Sequence, residues 1–361
     1  MNSKKYVIGF LLLVGIFFWG NVALWYGFTK SCFVADGQDR HGDLTRMAFL
    51  PSGESKTASI KYNNSHIEFT DYLRSEDNPA IDMLTIGDSF SNGGGGNYYQ
   101  DYIADRYGKN VLNISMMEDG NPFTVLRRLL DSGLMDELNP QVVVLESVER
   151  AAGKRFAAKK VAKIMPEKEL IKYYSVRKAN GALDFTGILP GGMLNANCQM
   201  VMAKMKNNGD EKRLSPDVYK ESLTEALFTD KEREKMLLFY HEDLWWQDAE
   251  VDFPKIEKNL SEVAAELRKR NIQLVVMINV DKLDLYQPYI ASEERTAENT
   301  FMEDFSQHVN GYVYINTKEI LRGMLAEGEK DVYWQDDTHW SWKAQQRVVD
   351  YMMEKVKFIN L

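Results

Sequence analysis

Two short segments, about 250 residues apart, carry side chains suited to act together as a nucleophile and its base. The first reads Gly87-Asp88-Ser89-Phe90, and the second reads Asp336-Asp337-Thr338-His339-Trp340. A serine hydroxyl becomes an effective nucleophile when an imidazole accepts its proton, and a carboxylate must hold that imidazole in the correct tautomer. The sequence therefore predicts a triad of Ser89, His339 and one of the two aspartates before the histidine, Asp336 or Asp337.

Other chemistries fit the residues less well. Four consecutive glycines lie between Ser91 and Asn97, but a Walker loop continues with Gly-Lys-Ser/Thr, whereas Asn97-Tyr98-Tyr99 follows here. His241-Glu242 lacks the second histidine that a zinc-protease helix carries four residues later. We therefore predict no nucleotide site, no metal site and no cofactor.

Short apolar runs alternate with helical patterns and indicate the elements that position the triad. Five runs are interpreted as buried strands, at residues 81–86, 111–114, 142–145, 272–280 and 312–315. Fully apolar strands separated by amphipathic helices are typical of a parallel sheet covered on both faces. Ser89 is then expected on the turn that leaves the carboxyl end of the first strand, where sites of such sheets lie.

The chain is predicted to have three parts. Residues 1–30 form a membrane anchor, residues 31–78 form a stalk and a segment that leads into the domain, and residues 79–361 form the catalytic domain. Between about residues 151 and 255 the strand pattern stops, which indicates a mainly helical insertion. The insertion is expected to form either a wall over the site or a peripheral decoration.

The N-terminal segment is predicted to cross a membrane once. Lys4 and Lys5 precede an almost uninterrupted apolar stretch, and about 20 such residues suffice to span the hydrocarbon core. Because lysines favour the cytoplasmic side, the rest of the chain is expected in the periplasm or outside the cell. No small-residue cleavage pattern follows, so a retained anchor is favoured over a signal peptide.

Charge and cysteine content narrow the possibilities further. The net charge of −9, without a basic cluster, argues against nucleic acid as a partner, because binding to phosphates requires a concentrated basic face. Only Cys32 and Cys198 occur, so one disulfide and two free thiols are both open.

With these segments in place, the chain resembles the SGNH (GDSL-like) hydrolase superfamily. The resemblance rests on Gly87-Asp88-Ser89 and on Asp and His close to the chain end. Asp337-Thr338-His339-Trp340, Asp281-Lys282 and Val148-Glu149-Arg150 resemble, more narrowly, the alginate O-acetyltransferase-type branch. It implies a flavodoxin-like three-layer α/β sandwich with a central parallel sheet. Known members of that branch place the Asp-x-His segment before the serine, whereas this chain has the opposite order.

The resemblance also guides the choice of the remaining site residues. The superfamily spacing selects Asp336 as the partner of His339, whereas the acetyltransferase branch selects Asp337, which we favour. The oxyanion donors of the superfamily correspond here to four candidates: the amides of Ser89, Ser115 and Gly120, and the Arg150 side chain. No Asn follows the third strand in the position that the superfamily uses.

Aromatic residues near the second segment suggest a sugar-binding surface. Trp334, Trp340 and Tyr286 are the candidates, because flat rings with a polar edge stack well on carbohydrates. The resemblance implies a serine O-acetyltransferase that acts on a cell-surface or secreted polysaccharide and receives acetyl groups from a membrane-bound O-acyltransferase partner. A carbohydrate esterase or deacetylase with the same triad, and an inactive polysaccharide-binding scaffold, are the alternatives.

Overall fold

The computed structural model describes residues 3–33, 42–50, 60–116, 119–159, 165–175, 189, 191–206, 211–247, 249–292 and 298–358. The α-helices are α1 (Ser3–Leu24), α2 (Lys30–Phe33), α3 (Asp43–Ala48), α4 (Phe69–Tyr72), α5 (Tyr99–Tyr107), α6 (Pro122–Ser132), α7 (Leu134–Leu138), α8 (Glu149–Phe156), α9 (Glu167–Ser175), α10 (Met193–Lys206), α11 (Phe253–Arg268), α12 (Lys282–Tyr286), α13 (Phe301–Ser306), α14 (Thr317–Ala326) and α15 (Trp342–Lys355). The strands are β1 (Ile67–Glu68), β2 (Met83–Gly87), β3 (Val111–Ser115), β4 (Val142–Val148), β5 (Val218–Ser222), β6 (Met236–Tyr240), β7 (Gln273–Asn279) and β8 (Val313–Asn316).

Six strands form a parallel sheet in the order β1-β3-β2-β4-β7-β8, with helices on both faces. The α/β fold with a central parallel sheet is therefore confirmed. The five predicted strands correspond to β2, β3, β4, β7 and β8. Strands β2 and β4 are buried along their whole length, because both faces of the sheet are covered. The edge strand β1 was not predicted, because its two residues form no apolar run in the sequence.

The register of the sheet brings the chemically active segments to one edge. Gly87 at the end of β2 pairs with Ser115 at the end of β3. Val148 at the end of β4 pairs with Asn279 at the end of β7. Parallel strands all end at the same edge, so the turns that follow these residues lie side by side.

The helix that follows the second segment packs as its sequence pattern predicts. Helix α15 begins three residues after His339 and buries Ala344, Val348, Val349 and Met352 on one face. A helix fixed to the core by this apolar face holds the preceding loop in place.

The insertion contains a two-stranded hairpin that the sequence analysis missed. Strands β5 and β6 pair antiparallel, and Tyr219 stacks on Phe239 across them. Helices α9 and α10 lie in the same insertion, as expected. The hairpin escaped prediction because β5 contains Lys220 and Glu221 and its three middle positions are all partly buried, so that no alternation of apolar and polar residues marks the strand.

The N-terminal helix is long enough to cross a membrane. Helix α1, a π-helical turn over Trp25–Thr29 and the start of α2 form a span of 30 residues, Ser3–Cys32, with a mean hydropathy of 2.3 in its most apolar window. None of that window is buried against the rest of the protein. Both cysteines are free thiols, Cys32 buried and Cys198 exposed.

Candidate active site

Ser89 lies on the turn directly after β2, and Asp88 fixes that turn to the neighbouring strand. The Asp88 carboxylate accepts hydrogen bonds from the Val148 amide at 2.8 Å, from the Phe90 amide at 3.2 Å and from the Arg155 guanidinium. Burial opposes the charge of Asp88, but Arg155 and the Val148 amide outweigh it and lower the pKa of the carboxyl group. Asp88 thus holds the turn and leaves the Ser89 side chain exposed.

Gly87 is required by the close approach of a buried carboxyl group. A Cβ atom on Gly87 would lie 2.1 Å from Glu146 Oε2, a distance that no packed atoms tolerate. The same Glu146 oxygen accepts hydrogen bonds from the Asp88 amide and from Ser91 Oγ, each at 2.8 Å. Burial, together with the charge of Asp88, raises the pKa of Glu146 well above its ordinary value.

Ser89, His339 and Asp337 form one chain of hydrogen bonds. The Ser89 hydroxyl lies 2.7 Å from His339 Nε2, and His339 Nδ1 lies 2.6 Å from Asp337 Oδ1. A carboxylate only accepts, so the ring proton sits on Nδ1, and Nε2 is left to accept the serine proton. The backbone amide of His339 also donates to Asp337 Oδ1, at 3.0 Å. The structure therefore brings three of the predicted catalytic residues together in the geometry of a nucleophile, a base and an orienting acid.

Asp336, the other candidate, lies away from the histidine ring. Its Oδ2 accepts from the backbone amide of Gly42 at 2.9 Å, and its carbonyl oxygen accepts from the amides of Leu44 and Thr45. Asp336 thus links the N-terminal segment to the loop. The hydrogen-bond partner of the His339 ring is Asp337.

Asp43, which the sequence analysis did not identify, faces the same ring. Its carboxylate accepts from the Thr338 amide at 2.7 Å and from the Thr338 hydroxyl, and Oδ2 lies 3.7 Å from His339 Nδ1. The Asp43 amide in turn donates to Asp337 Oδ2 at 3.2 Å. Nothing in the sequence near Asp43 indicated this role, because its partners lie 294 and 295 residues away.

The two carboxylates set the electrostatics of the ring. Burial disfavours the charged imidazole, but Asp337, Asp43 and, to a smaller degree, Asp88 outweigh it and raise the pKa of His339. Burial also opposes the charge of Asp337, yet His339 lowers the pKa of Asp337 below its ordinary value. Burial and the neighbouring charge of Asp337 raise the pKa of Asp43 to about 6. The carboxylates around the ring therefore stabilise its protonated form.

A buried lysine holds the loop that carries Asp337. Lys282 Nζ donates to the carbonyl oxygens of Trp334 at 2.7 Å, of Gln335 at 2.9 Å and of Asp337 at 2.9 Å. Burial lowers the pKa of Lys282 to about 8. The Asp281-Lys282 pair contributed to the family resemblance, but its function was not predicted.

The glycine-rich loop after Ser89 packs on the histidine ring. A Cβ atom on Gly94 would lie 2.3 Å from His339 Cδ2 and Nε2, so only glycine fits there. The Trp334 indole donates to the Gly95 carbonyl oxygen at 3.1 Å, and the Phe90 ring lies 4.7 Å from the His339 ring. Two of the four consecutive glycines, Gly94 and Gly95, thus allow a close approach to His339, whereas the alternative explanation of the run was a phosphate loop.

The predicted oxyanion donors differ in whether the structure leaves them available. Within the described part of the chain, the Ser89 amide donates to no protein acceptor and so is available to an oxyanion. Ser115 ends β3 beside Gly87. Gly120 is exposed, and its amide donates to the Met116 carbonyl oxygen at 2.8 Å. Gly120 is thus not placed as a donor.

Arg150 is also committed elsewhere. Its guanidinium pairs with Asp281 and, at 3.2 Å, with Asp243, and both carboxylates are buried. Burial opposes the charge of Arg150, but the two carboxylates outweigh it and raise its pKa. An oxyanion would have to displace these carboxylates, so the structure corrects the prediction that Arg150 is an oxyanion donor.

The aromatic residues predicted to stack on sugars lie in the core. Trp340 and Tyr286 are fully buried, and Trp334 is 5% exposed. Trp340 packs edge-on against Phe90, and the Tyr286 hydroxyl accepts a hydrogen bond from the Tyr333 amide at 3.1 Å. These rings therefore offer no free face to a sugar. Their position follows from the loop folding inward, which the composition of the segment did not indicate.

Asp43, Asp337 and His339 bring donor atoms within 4.8 Å of one another, as metal ligands do. The 2.6 Å contact between Asp337 and the histidine, however, suits a shared proton and leaves no room for an ion between them. We therefore interpret the group as a hydrogen-bonded catalytic cluster.

Residues 233–358 match a protein-family model described as an SGNH hydrolase-like domain of the acetyltransferase AlgX. The match covers about a third of the chain and supports the SGNH alginate O-acetyltransferase-type branch. The resemblance to the alginate O-acetyltransferase-type branch is thereby confirmed, and an acyl-transfer or esterase-type activity is supported. Comparison with curated proteins and with solved structures gave no match.

The AlgX-type segment contains only part of the site. Asp337, His339 and Lys282 lie within the matched residues, whereas Ser89 and Asp43 precede them. The parallel sheet brings Ser89 to the histidine of the AlgX-type segment, because β2, which precedes Ser89, and β7, which lies in the matched segment, both pair with β4.

Proposed function

We propose that this protein is a membrane-anchored, extracytoplasmic serine O-acetyltransferase that acts on a cell-surface or secreted polysaccharide. The observation that carries the proposal is the hydrogen-bonded chain from Ser89 through His339 to Asp337, of which two members lie in the AlgX-type segment. An intact chain of this geometry favours catalysis over an inactive scaffold.

The first half of the reaction forms an acyl-enzyme. Ser89 Oγ attacks the carbonyl carbon of the acetyl donor while His339 Nε2 takes the hydroxyl proton, and the Ser89 amide stabilises the oxyanion. The tetrahedral intermediate collapses, the bond to the donor breaks, and the imidazolium returns the proton to the leaving group. Asp337 holds the ring and stabilises its positive charge throughout.

The second half transfers the acetyl group. A sugar hydroxyl gives its proton to His339 Nε2 and attacks the acetyl carbonyl, and the ester bond to Ser89 breaks as the serine recovers a proton. The acetyl group is expected to come from a membrane-bound O-acyltransferase partner, as the family resemblance implies.

Hydrolysis is the second candidate function, and one observation favours it. The Ser89 side chain is exposed, so water can reach an acetyl group attached there. With water as the acceptor, the same residues give a carbohydrate esterase or deacetylase. The fate of the acyl-enzyme in the presence of a sugar acceptor separates the two activities.

The location outside the cytoplasm is supported by the N-terminal helix and its flanking charges. The span Ser3–Cys32 is long and apolar enough to cross a bilayer, and Lys4 and Lys5 lie at its first turn. This orientation puts the catalytic domain on the side where polysaccharides are modified.

The test is mass spectrometry of the protein after incubation with an activated acetyl ester. We expect a mass gain of one acetyl group that maps to Ser89. The Ser89→Ala variant should take up none, whereas Ser261→Ala, a matched serine on α11, should behave as the wild type. Acetylation at another residue would contradict the proposed nucleophile.

A second measurement follows the acetyl group after loading. Addition of an oligosaccharide acceptor should speed its loss from Ser89 and yield an acetylated sugar. Loss at the same rate with and without the acceptor, with acetate as the only product, would assign the protein as an esterase. Unchanged cell-surface acetylation in a Ser89→Ala strain would leave the scaffold as the remaining explanation.

A further inference from the structure

Helix α10 carries two apolar stripes, and the protein covers only one of them. Met193, Ala196, Met200 and Ala203 are buried. A second set lies on another side of the helix, because a turn of 100° per residue puts these positions within an arc of about 100°. Its members are exposed: Leu194 (44%), Val201 (41%), Met202 (54%) and Met205 (76%), with Cys198 between them. We call these five residues the outer stripe of α10.

The buried stripe packs on the last part of the anchor span. Trp25 forms a cluster with Met193 and Ala196, and Cys32 forms another with Met200 and Ala203. The Asn197 side chain also donates to the Asn21 carbonyl oxygen at 2.9 Å. Helix α10 therefore runs alongside the anchor, with its first turns beside residues 21–25 and its later turns beside residues 28–32.

This packing indicates that the N-terminal helix stays attached. Trp25 and Cys32 are almost completely buried by the catalytic domain, although most of the anchor before them is exposed. Removal of the helix as a signal peptide would expose the buried stripe of α10 to solvent.

The contact lies at the depth of the membrane surface. If Lys4 and Lys5 mark the inner boundary, about 20 residues of helix cross the hydrocarbon core and bring the outer boundary to about residue 25. The first turns of α10 are beside this point, and its later turns, beside residues 28–32, lie about 5–10 Å further out, so the outer stripe runs from the edge of the hydrocarbon core into the headgroup region.

We propose that α10 is a second membrane contact, whose outer stripe lies among the lipids of the leaflet from which the anchor emerges. Lipid is the occupant because α10 packs beside the end of the anchor, whose own surface is apolar and exposed, with Tyr26 48% and Phe18 41% exposed. The same bilayer that covers this surface covers the outer stripe. The polar positions Asn195 and Gln199, which form a third side of α10, face the water. The inference rests on the proposed anchor and not on the proposed reaction.

Two contacts with the bilayer restrict the catalytic domain more than one. A single helix allows rotation about its own axis, whereas an anchor with a second helix at the surface fixes which side of the domain faces the lipid. The orientation of Ser89 relative to the membrane is then set by the fold.

Fluorescence quenching in vesicles tests the contact, because Cys198 lies on the outer stripe and provides a native labelling site. The full chain with Cys32→Ala is labelled at Cys198 with an environment-sensitive dye and reconstituted in vesicles of phosphatidylethanolamine and phosphatidylglycerol. We expect lipid-bound nitroxide to quench the dye several-fold more strongly than it quenches a dye at Glu354→Cys, an exposed position on α15. Iodide in the buffer should show the opposite preference.

A label at Leu12→Cys reports on the anchor separately, since Leu12 lies in the middle of α1. The proposal would be overturned, and the proposed anchor retained, by two results together. Lipid nitroxide would quench the dye at Leu12→Cys, and iodide would quench the dye at Cys198 as strongly as the dye at Glu354→Cys. Shielding of Cys198 that occurs in native membranes but disappears in purified vesicles would assign the stripe to a protein partner and also overturn it.

Substitutions on the two exposed sides of α10 supply the matched comparison. Met202→Asp puts a charge into the outer stripe and should reduce lipid quenching at Cys198, whereas Gln199→Asp on the polar side should leave it unchanged. Equal effects of the two substitutions would count against a lipid contact of the outer stripe.

Discussion

At the scale of single residues, His339 differs from the histidine of a simple triad because two carboxylates approach the same nitrogen. Asp337 lies 2.6 Å from Nδ1 and accepts its proton, whereas Asp43 lies 3.7 Å away and is held by Thr338. Asp337 therefore orients the ring, and Asp43 adds negative charge without a direct hydrogen bond. The two roles predict different effects of the same substitution.

Asp337→Asn should reduce kcat by about 10³- to 10⁴-fold, because an amide in that place no longer holds the tautomer with Nδ1 protonated. Asp336→Asn should leave kcat within a few-fold of the wild type, because Asp336 fastens Gly42 and does not contact the ring. Rates of acetyl-ester turnover for the two variants check this. Equal losses would show that the two aspartates act as a unit.

Asp43→Asn should move the acid limb of the pH profile of kcat/KM to lower pH. The base form of His339 is required, and Asp43 is one of the charges that raise its pKa. Removal of that charge lowers the pKa of His339, so the variant keeps its active form at a lower pH. The profile with an acetyl ester is the measurement, and a limb that stays in place would contradict an electrostatic role of Asp43.

Residue types and their spacing were enough to single out Ser89 and His339 and to narrow the orienting carboxylate to Asp336 or Asp337. They could not reveal Asp43, because its effect depends on an N-terminal segment folding back onto a loop 294 residues away. For the tryptophans, the residue type suggested a sugar-binding surface. Whether a ring faces the solvent or the core, however, is decided by how the loop packs.

At the scale of elements, the loop from Trp334 to His339 is organised around a buried cation. Three of its carbonyl oxygens accept hydrogen bonds from Lys282 Nζ, and Lys282 is the first residue of α12, which follows β7. The loop has few other internal hydrogen bonds, among them one from the Trp334 amide to the His339 carbonyl oxygen at 3.2 Å. The position of Asp337 thus depends on a strand end far along the chain.

Lys282→Met should lower kcat and destabilise the fold by about 1–3 kcal/mol, because three buried acceptors lose their donor. Lys343→Met is the matched control, since Lys343 on α15 pairs with Glu329 at the surface, where such pairs contribute about 0–1 kcal/mol. Urea unfolding and turnover measure both effects. A loss of stability with unchanged kcat would show that Lys282 has no part in positioning Asp337.

The elements were predictable where periodicity was strong. Apolar runs identified five strands, and the stripe of α11 (Ile256, Leu260, Val263, Ala264 and Leu267) is buried as expected. The β5–β6 hairpin was not predictable from β5 alone, because that strand is stabilised by its partner β6 and by α3. A strand with charged exposed positions shows its identity only through such tertiary contacts.

At the scale of the whole molecule, the N-terminal region is part of the catalytic unit. Helix α3 packs Leu44 and Ala48 against Val218 and Leu238 of the hairpin, and Asp43 at its start reaches the triad loop. The hairpin, the N-terminal segment and the catalytic loop are thus joined through one short helix.

A chain that begins at residue 60 should lose about 10²-fold or more in turnover and unfold at a lower temperature, because Asp336, Asp337 and Thr338 lose their N-terminal partners. A chain that begins at residue 42 keeps these contacts and serves as the control. Activity and thermal unfolding of the two truncated chains are the measurements. Equal activity of both would mean that α3 does not support the site.

The short covalent path between Phe33 and Gly42 limits how far the loop that holds Gly42 can lie from the end of the N-terminal helix. By their numbers the two residues are nine peptide steps apart, and a fully extended chain covers about 30 Å over that distance. With the anchor in the bilayer, as we propose, Gly42 and the Asp336 side chain that binds it stay within this distance of Phe33, and Ser89 belongs to the same site. If the acceptor is a polysaccharide, as we propose, acetylation takes place close to the membrane surface, where a growing polymer emerges.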